Sequence, residues 1–254
     1  MLGTEGGLIL YNSLTNSSNL LSFKQSGIIL DAKVAISSVF IDSKGVMWLG
    51  SVSNGLITGP AINLPDNFPG EFNTPEAIKG IASPNIKGIY EDKTGQIWII
   101  TKFAGIFTYD RRSQLFPHYL IGNKDDNFII SAYERKNGNI LLGSKYSGLF
   151  EFNRVEGSFT QKLNFINNPI ERRIESIFED KAGNLWVALQ RGVVKMDANK
   201  NILKYYKCDK VYTFLEDRSG TLWLGTINGV LVYNSETKKL EVKKNVHPGQ
   251  FLNN

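Results

Sequence analysis

A chain of 254 residues, 42% of them hydrophobic, has ample apolar material for a core, and 29 basic against 24 acidic residues leave a net charge of only +5. The Lys and Arg are scattered rather than clustered, which argues against a nucleic-acid partner, and no stretch approaches 18 apolar residues, so no segment reads as a membrane helix. Cys208 is the only cysteine, which excludes an intrachain disulfide and leaves the redox compartment open.

The chain opens on Met1-Leu2-Gly3-Thr4, which aligns with Trp223-Leu224-Gly225-Thr226, and both stretches run on to a glycine, Gly7 or Gly229. The first repeat is therefore expected to start inside its second strand. Five extended apolar segments follow, at residues 36–41, 86–91, 129–134, 174–179 and 211–216. Each leads into an Asp-x-x-Gly turn that begins at Asp42, Asp92, Asp180 or Asp217, with Arg135 replacing Asp once. Asp can bond the backbone two residues on, and Gly at the fourth position takes positive φ without a Cβ clash, so each turn reads as a hairpin.

The strand after each turn carries Trp48, Trp98, Leu141, Trp186 or Trp223, spaced 50, 43, 45 and 37 residues apart. Ile97-Trp98-Ile99-Ile100 and Leu222-Trp223-Leu224 are apolar on both faces, as expected where sheet stacks on sheet, so these five anchors read as packing residues. A short loop then ends at Gly7, Gly55, Gly105, Gly148, Gly192 or Gly229. The third strand often closes on an aromatic with Asn or Asp, as in Tyr11-Asn12, Tyr109-Asp110, Phe152-Asn153 and Tyr233-Asn234. Weaker fourth strands are expected near 20–23, 115–119, 159–163, 202–206 and 240–242. Four antiparallel strands at a period near 40 specify an all-β chain, a β-propeller of about six repeats with the first incomplete, over residues 1–244. Residues 245–254 read as a tail leading into a further strand, and the chain as a segment of a longer protein. No secretory signal stands at the N-terminus, where a segment would not show one.

One region breaks the pattern. Residues 59–85 contain five of the eight prolines, Pro60, Pro65, Pro69, Pro75 and Pro84. Proline lacks a ladder donor and fixes φ, so a long, mostly unpaired excursion is expected, with a short strand near 77–81. Such a loop is either a surface decoration or functional.

Catalytic constellations are scarce. The two histidines, His118 and His247, fall on a peripheral strand and on the tail. The pairs Glu91-Asp92, Glu179-Asp180 and Glu216-Asp217 sit one per repeat, too far apart to share a substrate atom. No nucleophile elbow, phosphate loop or Cys/His cluster is present. No catalytic residue, metal ligand or cofactor is therefore assigned. The better candidates are the loops between second and third strands, which share one face with the starts of the first strands. Their residues Lys102, Phe103, Lys145, Tyr146, Gln190, Arg191 and Asn228 form the expected ligand-binding set. Aromatic rings stack on sugar faces, and neighbouring cations or amides bond hydroxyls, uronates or sulfates. Variable loops on a rigid scaffold are where such domains place specificity.

The stretch Glu216-Asp217-Arg-Ser-Gly220-Thr-Leu-Trp223-Leu-Gly225-Thr226-Ile-Asn-Gly229-Val-Leu-Val-Tyr233-Asn234 resembles the two-component regulator propeller repeat. The resemblance extends over nearly the whole chain. It departs at Leu141 for Trp, at Ile100 and Ala188 for Gly, and at Ser51 and Ser144 for Thr. It implies a periplasmic sensor region of a hybrid two-component receptor, responding to an oligosaccharide from polysaccharide breakdown and signalling to a kinase outside these residues. It also implies a homodimer formed through the parent receptor, with no membrane contact by this segment itself. A protein-interaction scaffold, or a lyase or lactonase propeller, are the alternatives.

Overall fold

The computed structural model describes residues 2–12, 14–21, 23–25, 28–30, 34–60, 71–72, 85–122, 127–154, 156–163 and 173–243. The proposed strand at 77–81, His247 and the tail 245–254 lie outside the described residues. The chain divides into two compact units, Met1–Ile129 and Ile130–Asn254.

In the first unit, Leu2–Thr4, Gly7–Asn12 and Ser17–Leu21 form one antiparallel sheet. Ile36–Ile41, Val46–Ser51 and Leu56–Pro60 form a second. Ile86–Glu91, Ile97–Thr101, Ile106–Tyr109 and His118–Tyr119 form a third. The next sheet starts at the boundary, with Ile129–Glu134, Ile140–Ser144, Leu149–Asn153 and Ser158–Leu163. The second unit continues with Ser176–Glu179, Leu185–Leu189, Gly192–Met196 and Ile202–Lys207. It ends with Val211–Glu216, Leu222–Thr226, Gly229–Asn234 and Lys239–Val242.

One sheet was not legible in the repeat. Phe23–Gln25 pairs antiparallel with Ile28–Leu30 and parallel with Glu71–Phe72, so the proline-rich excursion contributes a short strand. Two residues without proline were enough for pairing there, between Pro69 and Pro75.

The turns explain why Asp and Trp recur together. In the first copy, Asp42 Oδ1 accepts from the Lys44 and Val46 amides, both at 2.9 Å, while Oδ2 accepts from the Trp48 indole Nε1 at 2.8 Å. The same indole bond measures 2.6 Å at Asp92–Trp98 and 2.8 Å at Asp180–Trp186 and Asp217–Trp223. One carboxylate thus closes the hairpin and satisfies a buried N–H six residues on. Leu141 has no N–H to satisfy, and a carboxylate at residue 135 would lack this donor. Arg135 stands there instead, 4% exposed and paired with Glu179 at 3.0 Å. The five turn glycines, Gly45, Gly95, Gly138, Gly183 and Gly220, all have φ between 75 and 85°.

The acid preceding each turn Asp acts between sheets. Glu91 accepts from the Ser43 amide at 2.7 Å, Glu179 from Lys136 at 2.7 Å and Glu216 from Lys181 at 2.6 Å. Each Glu therefore caps the turn of the sheet before it. Apolar packing follows the same direction. Trp48 meets Tyr109 edge-on at 5.2 Å, and Trp186 meets Tyr233 at 4.7 Å, each Tyr lying on the third strand of the following sheet. Trp48, Trp98, Leu141 and Trp186 are at most 2% exposed. Trp223, on the last described sheet, is only partly buried, with the Lys243 ammonium 5.7 Å from its ring centroid.

Glycine after the apolar triplet is a packing requirement. A Cβ on Gly50 would lie 2.6 Å from Ile86 Cγ2, and one on Gly143 would lie 2.6 Å from Ile174 Cβ. Both isoleucines are fully buried at the start of the following sheet. Where Ala188 replaces this Gly, the following strand begins with Val211, and both residues sit in one core cluster.

Two stability experiments follow from this packing. Gly143→Ala should cost about 1–3 kcal/mol by overpacking, read in denaturant melts. No loss in the single variant would remove the close-approach argument. In a double-mutant cycle, Trp98→Phe and Asp92→Asn should each destabilise, with a coupling of about 0.5–3 kcal/mol. Strictly additive losses would show that the indole bond contributes nothing.

Candidate functional site

The loops after the second strands are closed at their base by a hydroxyl. Ser51 Oγ donates to the Gly55 carbonyl at 3.0 Å and accepts from the Asn54 amide at 2.6 Å. Thr101 does the same with Gly105 and Ala104, at 2.8 and 2.9 Å. Thr226 donates to Gly229 at 2.8 Å and accepts from Asn228 at 3.2 Å. Serine and threonine are interchangeable here because the bond needs only the hydroxyl. With the base fixed, the tip residues project.

In the first unit, Phe103 is 52% exposed and packs edge-on against Phe128 at 4.7 Å. The Lys102 ammonium lies 4.9 Å from the Phe103 ring centroid and 5.6 Å from that of Phe128. In the second unit, Lys145 Nζ lies 4.8 Å from the Tyr146 centroid, and Tyr146 is exposed. Each cation rests on the ring beside it, a contact of about 0.5–1 kcal/mol at an exposed site. Cation and ring therefore form one element, and an incoming group must take the other ring face or displace the lysine.

Gln190, Arg191 and Asn228 gather differently. They surround the connector at 207–210, which leads from the Trp186 sheet to the Trp223 sheet. Gln190 and Arg191 line a hollow of about 570 Å³ together with the connector and with Leu231, Leu240 and Val242. Tyr205 braces Arg191 by donating its hydroxyl to the Arg191 carbonyl at 2.9 Å. Asn228 is tied up, since its amide donates to Asp209 at 2.9 Å. Asn228 thus orients a lining residue rather than offering itself to a ligand. Lys210 pairs with Glu175 at 3.0 Å, and Arg173 pairs with the same carboxylate. The loop pattern pointed to Gln190 and Arg191. It did not reveal Lys207, Cys208 or the leucine wall, because these come from connector and outer strands whose spacing varies between repeats.

The recurrent acids are structural. Burial alone would raise the pKa of Asp42, but bonds from the Trp48 indole, the Val46 and Lys44 amides and Arg111 hold it below the usual range. The Ser219 hydroxyl, followed by the Trp223 indole, pushes Asp217 down to about 2. Both are fixed as acceptors, unsuited to donating a proton at neutral pH. His118 stacks on Phe107 at 4.2 Å, with Nε2 2.6 Å from the Ala104 carbonyl. Among the described residues, no three His, Cys, Asp or Glu side chains converge as metal ligands would.

Cys208 gives this hollow a chemical handle. Burial, then the Asp209 charge, pushes its thiol up to about 11. Its alkylation rate should therefore rise about tenfold per unit between pH 8 and 10, where a free thiol levels off near pH 8.5. A plateau by pH 9, read by mass spectrometry of the single labelled cysteine, would contradict this environment.

The sequence profile of the two component regulator propeller family matches residues 205–228, which span the Trp223 turn and strand. No curated protein matches the chain. Among solved structures, the extracellular domain of a B. thetaiotaomicron hybrid two component system superposes with a TM-score of 0.65 at 20% identity, over 81% of this chain and 29% of that one. The extracellular domain of a second such system from that organism gives 0.63 at 24% identity, over 84% and 31%. Virginiamycin B lyase from Staphylococcus aureus gives 0.62 at 14% identity, over 84% and 71%. The chain thus spans under a third of the length of the two component structures, and at these identities the likeness is one of fold. Residues 205–228 match the two component regulator propeller repeat, and the chain that carries them has the β-propeller fold.

Proposed function

We propose that this chain is part of the extracytoplasmic ligand-sensing region of a hybrid two component receptor, signalling to a kinase elsewhere in the parent protein. The observation that carries this reading is the repeat match at residues 205–228. The likeness to extracellular domains of hybrid two component systems supports it. The ligand we propose is an oligosaccharide released from a polysaccharide, acidic because Lys102, Lys145 and Arg191 stand at the loop tips with Phe103 and Tyr146 beside two of them. Dimerisation would run through the parent receptor. The region is read as non-catalytic because Asp42, Asp92, Asp180 and Asp217 are each bonded to a tryptophan, although lyase and gluconolactonase structures share the fold.

The coding sequence flanking residues 1–254 is the first check. An in-frame membrane helix and histidine kinase are expected, and a reading frame without either would overturn the receptor assignment. Reporter induction in cells carrying the parent protein is the second. Acidic oligosaccharides should induce, and Phe103→Ala or Tyr146→Ala should each raise the concentration needed by about tenfold, the equivalent of about 1.4 kcal/mol. Unchanged induction by both variants would move recognition away from these tips.

A further inference from the structure

The second unit holds a site that the loop tips alone do not define. The hollow beside the Trp186 and Trp223 sheets is lined by three cations, Arg191, Lys207 and Lys210, and one carboxylate, Asp209. The charges are not equivalent. Lys210 is neutralised by Glu175 at 3.0 Å, and Asp209 is held by the Asn228 amide at 2.9 Å. The Arg191 guanidinium, the Lys207 ammonium and the Gln190 side chain have no hydrogen-bond or ion-pair partner among the described residues. The lining also includes Leu231 and Leu240, which pack into the core around Trp186. The apolar part of the lining is therefore rigid, while the polar part keeps unused donors.

We propose that this hollow binds a single carboxylate or sulfate carried on a sugar-sized body with one apolar face. Arg191 and Lys207 take the anion, Gln190 bonds a hydroxyl, and the leucine wall receives the apolar face. Arg191 is suited to the anion because its planar donors match two oxygens of a carboxylate or sulfate at once. Tyr205 fixes the Arg191 backbone, so the guanidinium swings from an anchored point. A volume of about 570 Å³ lies within the range of small-ligand pockets and takes one or two sugar rings. The carboxylate of Asp209 lies on the lining and keeps its charge while one of its oxygens accepts from Asn228, so the anion is placed with Arg191 and Lys207. This assignment rests on the sensor reading above and gives that ligand's acidic residue a place.

The test uses a hexuronic acid disaccharide, its carboxyl-reduced neutral counterpart and a sulfated neutral disaccharide, titrated by calorimetry. The charged probes should bind at least about tenfold more tightly than the neutral one, and the uronate and sulfate arms show which anion is preferred. Arg191→Ala and Lys207→Ala should each weaken the charged probes by about tenfold, while Lys44→Ala, in the turn at Asp42 and outside the lining, should not. Bound probe should also slow alkylation of Cys208, which reports occupancy of this hollow and no other place. Equal affinity for charged and neutral probes, or wild-type affinity in both variants, would overturn the assignment. Binding that leaves Cys208 unprotected and both variants unaffected would overturn it while leaving the sensor reading intact. No binding of any probe would overturn it too, and the flanking kinase and reporter response would then decide the sensor reading separately.

Discussion

A carboxylate bonded to an indole N–H six residues away organises four of the repeats. Tryptophan is the largest apolar group available to fill the space between two sheets, but its N–H is costly to bury without an acceptor. The turn Asp supplies that acceptor from a position where it already bonds two backbone amides, so one side chain fixes the hairpin and admits the tryptophan. Aspartate and tryptophan must therefore change together. The repeat that lost Trp, at Leu141, also lost Asp, at Arg135, and the arginine found a new buried partner in Glu179.

The remaining contacts run in one direction along the chain. Trp48 and Trp186 look toward the sheet that follows, where a third-strand tyrosine meets each. Each glutamate before a turn looks back and caps the turn of the sheet before. Gly50 and Gly143 make room for Ile86 and Ile174, which lead in the following sheet. Apolar, polar and steric contacts thus join the same pairs of neighbours. That agreement across levels lets a repeat of modest sequence identity specify one stacking.

This division of labour separates architecture from recognition. The turn face carries near-identical residues because its acids are occupied by indoles and neighbouring amides. The opposite loops share a glycine and, except at Leu189, a base hydroxyl, which frees the tips to differ. The Lys-aromatic tips and the hollow at Arg191 and Lys207 are two results of that freedom. The hollow exists because the connector at 207–210 carries cations beside a wall whose leucines are anchored in the core.

The sequence by itself determined the strand order, the turns and the packing anchors, because these depend on contacts within a hairpin or between adjacent repeats that recur with a fixed spacing. It also indicated that the Glu-Asp pairs were not catalytic, though not that the two acids of a pair serve different sheets. Only the tertiary structure decided the rest. It showed Trp223 partly exposed, since burial depends on what lies over a ring and not on the strand that carries it. It showed Glu71–Phe72 pairing with Phe23–Gln25 across a long excursion, a contact with no local spacing to betray it. It separated Arg191, whose side chain is unengaged among the described residues, from Asn228, which is bonded to Asp209, because the partner of a polar side chain is set by what folding brings beside it.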